Sequence, residues 1–406
     1  GYNIGMSDRV ALLDGINPSA SQYFAEQGLE VIEFSKAVTI DEFEAVVRDV
    51  ELLGVRSGPK VPGEVIEAGR DLQAIGCFCV GTGHVDKEVA NKNGVAIFNA
   101  VHENTRSVAE HVIASAFGLL RRMPEHSREM HDGKWTKTDE QSYEIRGKKL
   151  GIIGYGSIGS QVSVLAEGFG MDVIYYDPAP KMPPHGRAKL VSSMEEVLAD
   201  SDIVTLHVPG IPTTQKMINE QTLALMKPGS YLINTARGEV VDYEAVAEAI
   251  ESGRLAGIAA DVFEDEPAKR GDSFNHVLRG VGRAILTPHI AGSTVEAQRE
   301  IGSSVAIKLL GYLSSGNSIG SVNLPELALG DVPTGVRRLL HIHNNVPGVM
   351  ANVTTVLAES GLNIVGSNQR ANEKVAYAAF DIEGEISDDT VQAIRELPET
   401  YRLRAL

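Results

Sequence analysis

Three residues of complementary chemistry stand at successive loop positions in the middle of the chain. Arg237 lies in Asn234-Thr235-Ala236-Arg237-Gly238. Glu266 lies in Asp261-Val262-Phe263-Glu264-Asp265-Glu266-Pro267. His289 lies in Leu286-Thr287-Pro288-His289-Ile290-Ala291-Gly292-Ser293. A histidine exchanges a proton near neutral pH. A carboxylate on its other ring nitrogen selects the tautomer and favours the imidazolium. An arginine clamps a carboxylate bidentately and polarises the neighbouring carbonyl. The trio therefore suits interconversion of a 2-keto acid and a 2-hydroxy acid, with His289 as acid in one direction and base in the other. Singly, each has a plainer role: a surface ion pair, a solvated acidic run, a helix cap. Their conjunction with a second motif argues for chemistry.

That motif is Gly154-Tyr155-Gly156-Ser157-Ile158-Gly159, which directly follows the apolar run Leu150–Ile153. Gly154 permits a tight turn, Gly156 a close backbone approach, and Gly159 close helix–strand packing. The amides of Ser157 and Ile158 then face an anion at the positive end of a helix. Asp177 ends the next strand at the spacing of a ribose-binding acid. It would accept from a free 2′-hydroxyl and repel a 2′-phosphate, so the expected cofactor is NAD. His207, Val208 and Pro209 end a further strand at the same edge, where Val208 and Pro209 could pack on adenine.

Basic groups also follow strands of the first hundred residues. Arg56 and Ser57 follow Leu53-Gly54-Val55, and Lys36 follows another strand end. Each could bind anionic oxygens of a substrate. They would do so in an acidic chain, with 37 Lys and Arg against 54 Asp and Glu and a net charge of −17. That balance argues against nucleic acid or an anionic membrane as partner, and no apolar run approaches a membrane span. The two cysteines, Cys77 and Cys79, fit neither a zinc site nor a redox pair. They read as reduced thiols of a cytoplasmic protein, and no metal is expected.

The elements that must position these residues form an alternating series. Val10–Leu13, Val31–Phe34, Leu52–Val55, Leu72–Ile75 and Val95–Phe98 read as strands, with helices at Ser19–Gln27, Asp41–Val47 and Pro62–Ala68. A buried helix, Val108–Leu120, precedes strands Leu150–Ile153, Asp172–Tyr176, Ile203–Leu206, Tyr231–Ile233, Ile258–Ala260 and Ala284–Leu286. Alternation of this kind predicts parallel sheets with helices on both faces. After a helix at Val295–Leu313, residues 314–335 read as a Ser-, Gly- and Pro-bearing linker. The tail then runs strand Arg337–His343, helix Pro347–Ser360, strands Asn363–Ala371 and Val375–Ile382, helix Asp388–Leu397 and strand Tyr401–Ala405. This β-α-β-β-α-β order is ferredoxin-like. The expected fold is α/β, with two doubly wound Rossmann-type domains plus a ferredoxin-like α+β domain. Their expected boundaries are 1–103 with 300–329, 104–299, and 330–406.

Gly-Tyr-Gly-Ser-Ile-Gly, Asn-Thr-Ala-Arg-Gly, Asp-Val-Phe-Glu-Asp-Glu-Pro and Thr-Pro-His-Ile-Ala-Gly-Ser, in this order, resemble the signatures of the D-isomer-specific 2-hydroxyacid dehydrogenases. The resemblance implies a substrate-binding domain, an NAD-binding domain, and catalytic roles for Arg237, Glu266 and His289. It adds Thr235, Ala236, Asp261 and Gly292, with Arg237 and His289, to the lining of the NAD site. Ile75–Thr82, Asn104–Glu110 and Gly147–Gly156 are similar, more narrowly, to the branch that oxidises D-3-phosphoglycerate in the first step of phosphorylated L-serine synthesis. By that likeness Lys36, Arg56, Ser57, Asn104 and Arg237 contact a phosphorylated 2-hydroxy acid, and Lys137 is a candidate phosphate ligand. The tail resembles an ACT regulatory domain, of which such domains pair edge to edge, implying a homotetramer. L-Serine is the implied effector, on His343, Asn345 and Asn363. Other readings are a dehydrogenase for glycerate, lactate or 2-hydroxyglutarate, or a non-catalytic NAD-sensing regulator.

Overall fold

A computed structural model describes residues 8–34, 39–179, 182–267 and 271–406, and Lys36 lies outside them. In chain order its strands are β1 (Arg9–Leu13), β2 (Glu30–Phe34), β3 (Leu52–Val55), β4 (Ala74–Cys77), β5 (Ala96–Asn99), β6 (Lys149–Ile153), β7 (Asp172–Tyr176), β8 (Lys189–Leu190), β9 (Ile203–Leu206), β10 (Ser230–Asn234), β11 (Leu255–Ala260), β12 (Ala284–Leu286), β13 (Val336–Asn344), β14 (Asn363–Ala371), β15 (Val375–Glu383) and β16 (Thr400–Ala405). The chain divides into two compact units, Gly1–Glu103 with Gln298–Leu406, and Asn104–Ala297.

The first unit begins with a five-stranded parallel sheet, β2-β1-β3-β4-β5. β3, β4 and β5 are buried along their whole length. That is why they read as continuous apolar runs rather than alternating ones. Several element ends differ from expectation by one to three residues, two of them for a visible reason. Leu72 belongs to the turn before β4, where its amide donates to the Gly69 carbonyl, and Ala74 is the residue that pairs with Leu52. Pro62 caps helix Gly63–Ala68 instead of opening it.

The second unit is a seven-stranded parallel sheet, β12-β11-β10-β9-β6-β7-β8. Its strand order reverses at β6, which has β9 on one side and β7 on the other. The carboxyl ends of strands at such a switch point open a crevice. Helix Thr105–Arg121 packs nine buried residues against this sheet. Arg122 then takes a left-handed conformation (φ 52°) and a separate helix, Met123–His131, follows. Sequence reading missed that helix, and also Lys87–Lys92 and the two-residue β8, because neither helix carries a sustained apolar stripe.

The tail forms an antiparallel sheet, β14-β15-β13-β16, with helices Val349–Glu359 and Asp388–Arg395 sharing a core on one face. Its other face is covered over β13 and β15, while β14 stays exposed. Leu340, Ile342, Val375, Tyr377 and Ala379 join the core of the first unit, beside Tyr312 and Leu313 of helix Val295–Ser315. Residues 314–335 are therefore packed and are not a free linker. Asn323 accepts from the Ile97 amide at 2.7 Å and donates to the Val95 carbonyl at 2.9 Å.

One buried cation closes this arrangement. The Arg338 guanidinium donates to both carboxylate oxygens of Asp381 at 2.6 and 2.9 Å, and to the Ser315 and Gly330 carbonyls at 3.1 and 2.6 Å. Removing one partner of such a pair leaves the other buried and unpaired. Arg338→Met should destabilise the protein by about 3 kcal/mol in urea unfolding. Arg337→Met, at an exposed position one residue earlier, should change it by less than about 0.5 kcal/mol.

Candidate active site

The dinucleotide motif folds as its glycines require. Gly154 has φ +92°, and a Cβ there would collide with the His207 carbonyl; a Cβ on Gly159 would collide with the Gly154 carbonyl. At Gly156 nothing lies within 4 Å, so the backbone is open to a ligand where helix Ser157–Gly168 begins. Asp177, just past β7, is oriented by the Tyr155 and Ala179 amides, which donate to its two oxygens at 2.8 and 2.9 Å. Thr235, just past β10, carries a buried hydroxyl with no partner. An open glycine backbone, an oriented acid and an orphaned hydroxyl at the carboxyl edge fit a dinucleotide. His207 is less suited to titrate. Burial pushes its imidazole down to about 3, and its Nε2 lies 3.0 Å from Thr205 Oγ1. Its structural share is the carbonyl that packs on Gly154, while Val208 is half-buried and Pro209 exposed beside it.

The trio is assembled by two buried polar side chains at the ends of adjacent strands. Asn234, the last residue of β10, is fully buried. Its amide nitrogen donates to the Arg237 carbonyl and to the Tyr243 hydroxyl, both at 2.9 Å, and its oxygen accepts from the Ala236 amide at 3.0 Å. Tyr243 passes the restraint on, donating to the Val262 carbonyl at 2.6 Å. The next amide, Phe263, donates to Glu266 Oε1 at 3.1 Å. Gly238 lets the two loops meet, since a Cβ there would collide with the Phe263 backbone.

Asp261 follows β11 and is 1% exposed. Its carboxylate accepts from Thr287 Oγ1 at 2.6 Å and from the Ile290 and Ala291 amides at 2.9 and 2.8 Å. Its carbonyl accepts from the His289 amide at 2.8 Å. Those bonds hold His289 at φ +53°, a conformation uncommon for a residue with a side chain. The result is the central contact of the site: His289 Nδ1–H donates to Glu266 Oε2 at 2.7 Å. The bond fixes the tautomer and leaves Nε2 for a substrate. It also raises the His289 pKa above that of a free imidazole, with burial and Arg237 opposing and the Glu266 and Asp261 charges assisting. Burial pulls Glu266 upward, but the His289 bond and charge, the Phe263 amide and Arg237 outweigh it, so Glu266 stays ionised. The Arg237 side chain is exposed, with Nη1 on its own Ala236 carbonyl at 2.7 Å.

Other expected residues are placed with less convergence. Asn104 starts helix Thr105–Arg121 and packs against Gly292, so it lies beside the His289 turn. Ser107 reinforces this, with its hydroxyl 2.7 Å from that of Thr294. Ala236 is buried. Lys137 lies in an exposed stretch beside Trp135, along a small cavity of about 190 Å³. In the other unit, Arg56 is half-buried and Ser57 exposed just past β3. Cys77 and Cys79 are free thiols that burial pushes up to about 12 and about 11. Among the described residues no cluster of His, Cys, Asp and Glu is arranged to hold a metal, and no helix is long and apolar enough to cross a membrane.

The three residues expected to hold serine do not meet within one chain. His343 is buried, stacked on His341 at 4.7 Å, with Nδ1 2.8 Å from the Asn344 carbonyl. Asn345 donates to the Asn372 carbonyl at 2.7 Å. Asn363 donates to Glu383 at 3.2 Å. His343 pairs across to Ala376 of β15, but Asn363 pairs to Glu383 of the same strand. Those two positions are roughly 24 Å apart along a strand.

Asn234, Tyr243 and Thr287 are the residues that sequence reading missed. The signal for Asn234 was a polar residue ending an apolar strand beside Arg237. Nothing local marked Tyr243, whose partner lies 19 residues away.

The chain is similar to known proteins. The family described as D-isomer specific 2-hydroxyacid dehydrogenase, NAD binding domain, matches residues 113–291, and an AHAS small subunit-like ACT domain matches residues 339–402. D-3-phosphoglycerate dehydrogenase of Haemophilus influenzae is 43% identical over 98% of this chain and 97% of its own. That of Escherichia coli K12 is 44% identical, over 97% and 96%. Among solved structures, D-2-hydroxyisocaproate dehydrogenase superposes with a TM-score of 0.72 at 26% identity, covering 78% of this chain and 99% of its own. The NAD complex of a D-isomer specific 2-hydroxyacid dehydrogenase from Lactobacillus delbrueckii gives 0.68 at 27%, covering 78% and 100%.

Glu266→Gln keeps the shape at His289 but removes the charge. The His289 pKa, read by NMR titration, should fall relative to the unsubstituted protein; an unmoved value would mean that Glu266 does not hold the imidazolium.

Proposed function

The chain belongs to the D-isomer-specific 2-hydroxyacid dehydrogenases, as an NAD-dependent enzyme, and we propose that it oxidises D-3-phosphoglycerate to 3-phosphohydroxypyruvate and catalyses the reverse. The observation that carries the chemistry is the 2.7 Å bond from His289 to Glu266, set beside Arg237. The names of the relatives at 43% and 44% identity support the substrate.

In oxidation, Arg237 binds the substrate carboxylate in a bidentate fork. His289 Nε2 accepts the hydroxyl proton as the C–O bond becomes a carbonyl. Glu266, ionised, stabilises the imidazolium that forms. Bound NAD would supply the acceptor for the hydride leaving carbon 2. In reduction His289 returns the proton to the carbonyl oxygen. Gly154, Gly156, Gly159, Ser157 and Ile158 would hold the pyrophosphate and Asp177 the ribose. Val208, Pro209, Thr235, Ala236, Asp261 and Gly292 are proposed to line the remainder. Arg56, Ser57, Asn104 and Lys137 are the proposed substrate ligands, with the basic members directed to the phosphate.

L-Serine is the proposed effector. Because His343 and Asn345 stand at one end of the tail sheet and Asn363 at the other, a site using all three needs two copies of the chain. Pairing along the exposed edge strand β14 would bring one end against the other, and supports an assembly built from such pairs, a homotetramer. Two free thiols, Cys77 buried and Cys79 half-buried, suit a reducing compartment, the cytoplasm.

An NADH-linked assay with 3-phosphohydroxypyruvate tests the reaction. Turnover is expected, and His289→Ala should lower kcat about 10²–10⁴-fold. Turnover on another 2-keto acid but not on this one would leave the family and remove the substrate. L-Serine should inhibit the intact chain and lose its effect in Asn363→Ala. The point variant is preferable to deleting the tail, which would bare the apolar face shared with the first unit. An enzyme indifferent to serine would overturn the regulatory reading.

A further inference from the structure

Acidic side chains outnumber basic ones in this chain, 54 to 37, yet four arginines line one cavity of about 560 Å³ in the first unit: Arg70, Arg395, Arg402 and Arg404. It lies where the tail sheet meets the turn before β4. The same cavity carries two acidic side chains, Asp8 and Asp71. Among the lining side chains guanidiniums outnumber carboxylates four to two, in a protein of net charge −17.

Two of these arginines have a structural task. Arg402, on β16, donates to the Leu72 carbonyl and to the Arg70 carbonyl, the latter at 3.0 Å. Arg404 donates to the Tyr312 and Leu313 carbonyls at 3.3 and 2.7 Å, with its guanidinium 5.0 Å from the Tyr312 ring centre. They are half-buried, fixed in direction, and each retains N–H groups beyond the two it uses. Arg70 and Arg395 have no such task. Both are exposed, and among the described residues neither guanidinium has a hydrogen-bond or ion-pair partner. Arg395 ends helix Asp388–Arg395 of the tail, whereas Arg70 belongs to the turn before β4. Two anchored forks and two unpartnered ones thus converge on one space from two parts of the fold.

We infer that this cavity binds a small molecule carrying two or more negative charges, a phosphate or carboxylate polyanion, bridging Arg70 of the turn before β4 to Arg395 of the tail. The volume is within the range of small-molecule sites. Planar guanidinium forks match phosphate and carboxylate oxygens alike. A bridging anion would also brace the tail against the first sheet, because its charge neutralises both free arginines only while the two remain docked.

The test is calorimetric titration of the full chain with pyrophosphate and, separately, with citrate, at constant ionic strength and saturating NADH. The unsubstituted protein should bind at least one of them. Pyrophosphate alone would point to a phosphate ligand, citrate alone to a polycarboxylate. The double variant Arg70→Gln/Arg395→Gln should weaken binding by at least about 10-fold, the loss expected from two charge-assisted hydrogen bonds. Arg237→Gln, which disables the active-site anion clamp, should leave it within about twofold. Because Arg70 and Arg395 have no partner to lose, the double variant should unfold at the same urea concentration as the parent. Binding unchanged in the double variant, or abolished by Arg237→Gln, would overturn the assignment. So would an absence of binding of either probe up to about 10 mM.

Discussion

Two buried polar side chains, Asn234 and Asp261, impose the condition on which the candidate active site rests. Each stands at the carboxyl end of a central strand, where the chain leaves the sheet and its backbone groups lose their ladder partners. A buried amide or carboxylate without partners is costly. The loops must therefore fold back and supply donors and acceptors. Asn234 collects the Arg237 loop and, through Tyr243, the Glu266 loop. Asp261 collects the His289 turn. The two strand ends are themselves joined, since the Asp261 amide donates to the Asn234 carbonyl at 3.0 Å. Three loops with separate sequences thus share one frame of reference.

That frame supports the proposed acid–base chemistry. His289 and Glu266 are both partly exposed, and an ordinary surface pair of this kind contributes little. Here the imidazole is held by its backbone and the carboxylate by the Phe263 amide, so neither partner has to be ordered when the bond forms. Arg237 adds opposing influences. It helps keep Glu266 ionised and lowers the His289 pKa, which leaves the imidazole able to give up its proton as well as hold it. Both suit the proposed role of His289 as acid in one direction and base in the other.

The tail is held by a different kind of contact. Its helical face closes its own core, while its sheet face is an extension of the first unit's core. Apolar burial supplies the area, but Arg338, Arg402 and Arg404 set the alignment, each reaching carbonyls outside the tail sheet. An effector site shared between two copies of such a tail would act on elements already continuous with the first sheet. A change in tail pairing has a packed route into the unit that carries Arg56 and Ser57. The coupling is a free-energy difference between two states of that route.

By itself the sequence determined what is local. The glycine turn and the candidates Asp177, Arg237, Glu266 and His289 could be picked out because their residue types and short spacings suit a turn, a proposed phosphate cradle and a proposed proton-transfer set. The strands were legible because parallel, doubly covered strands read as apolar runs. The tertiary structure alone decided what depends on long-range pairing. Tyr243 was invisible as a clamp because its role is a single bond to a carbonyl in another loop. The left-handed backbone of His289 arises from Asp261, 28 residues earlier by position in the chain. Residues 314–335 looked like a linker because Ser, Gly and Pro were weighed by composition, whereas Asn323, Leu324 and Leu327 are buried by a sheet formed far upstream. Strand register, invisible in one dimension, put His343 and Asn363 at opposite ends of the tail sheet. The arginine cavity has the same origin, since a turn near residue 70 and a strand near residue 402 become neighbours only when the tail docks.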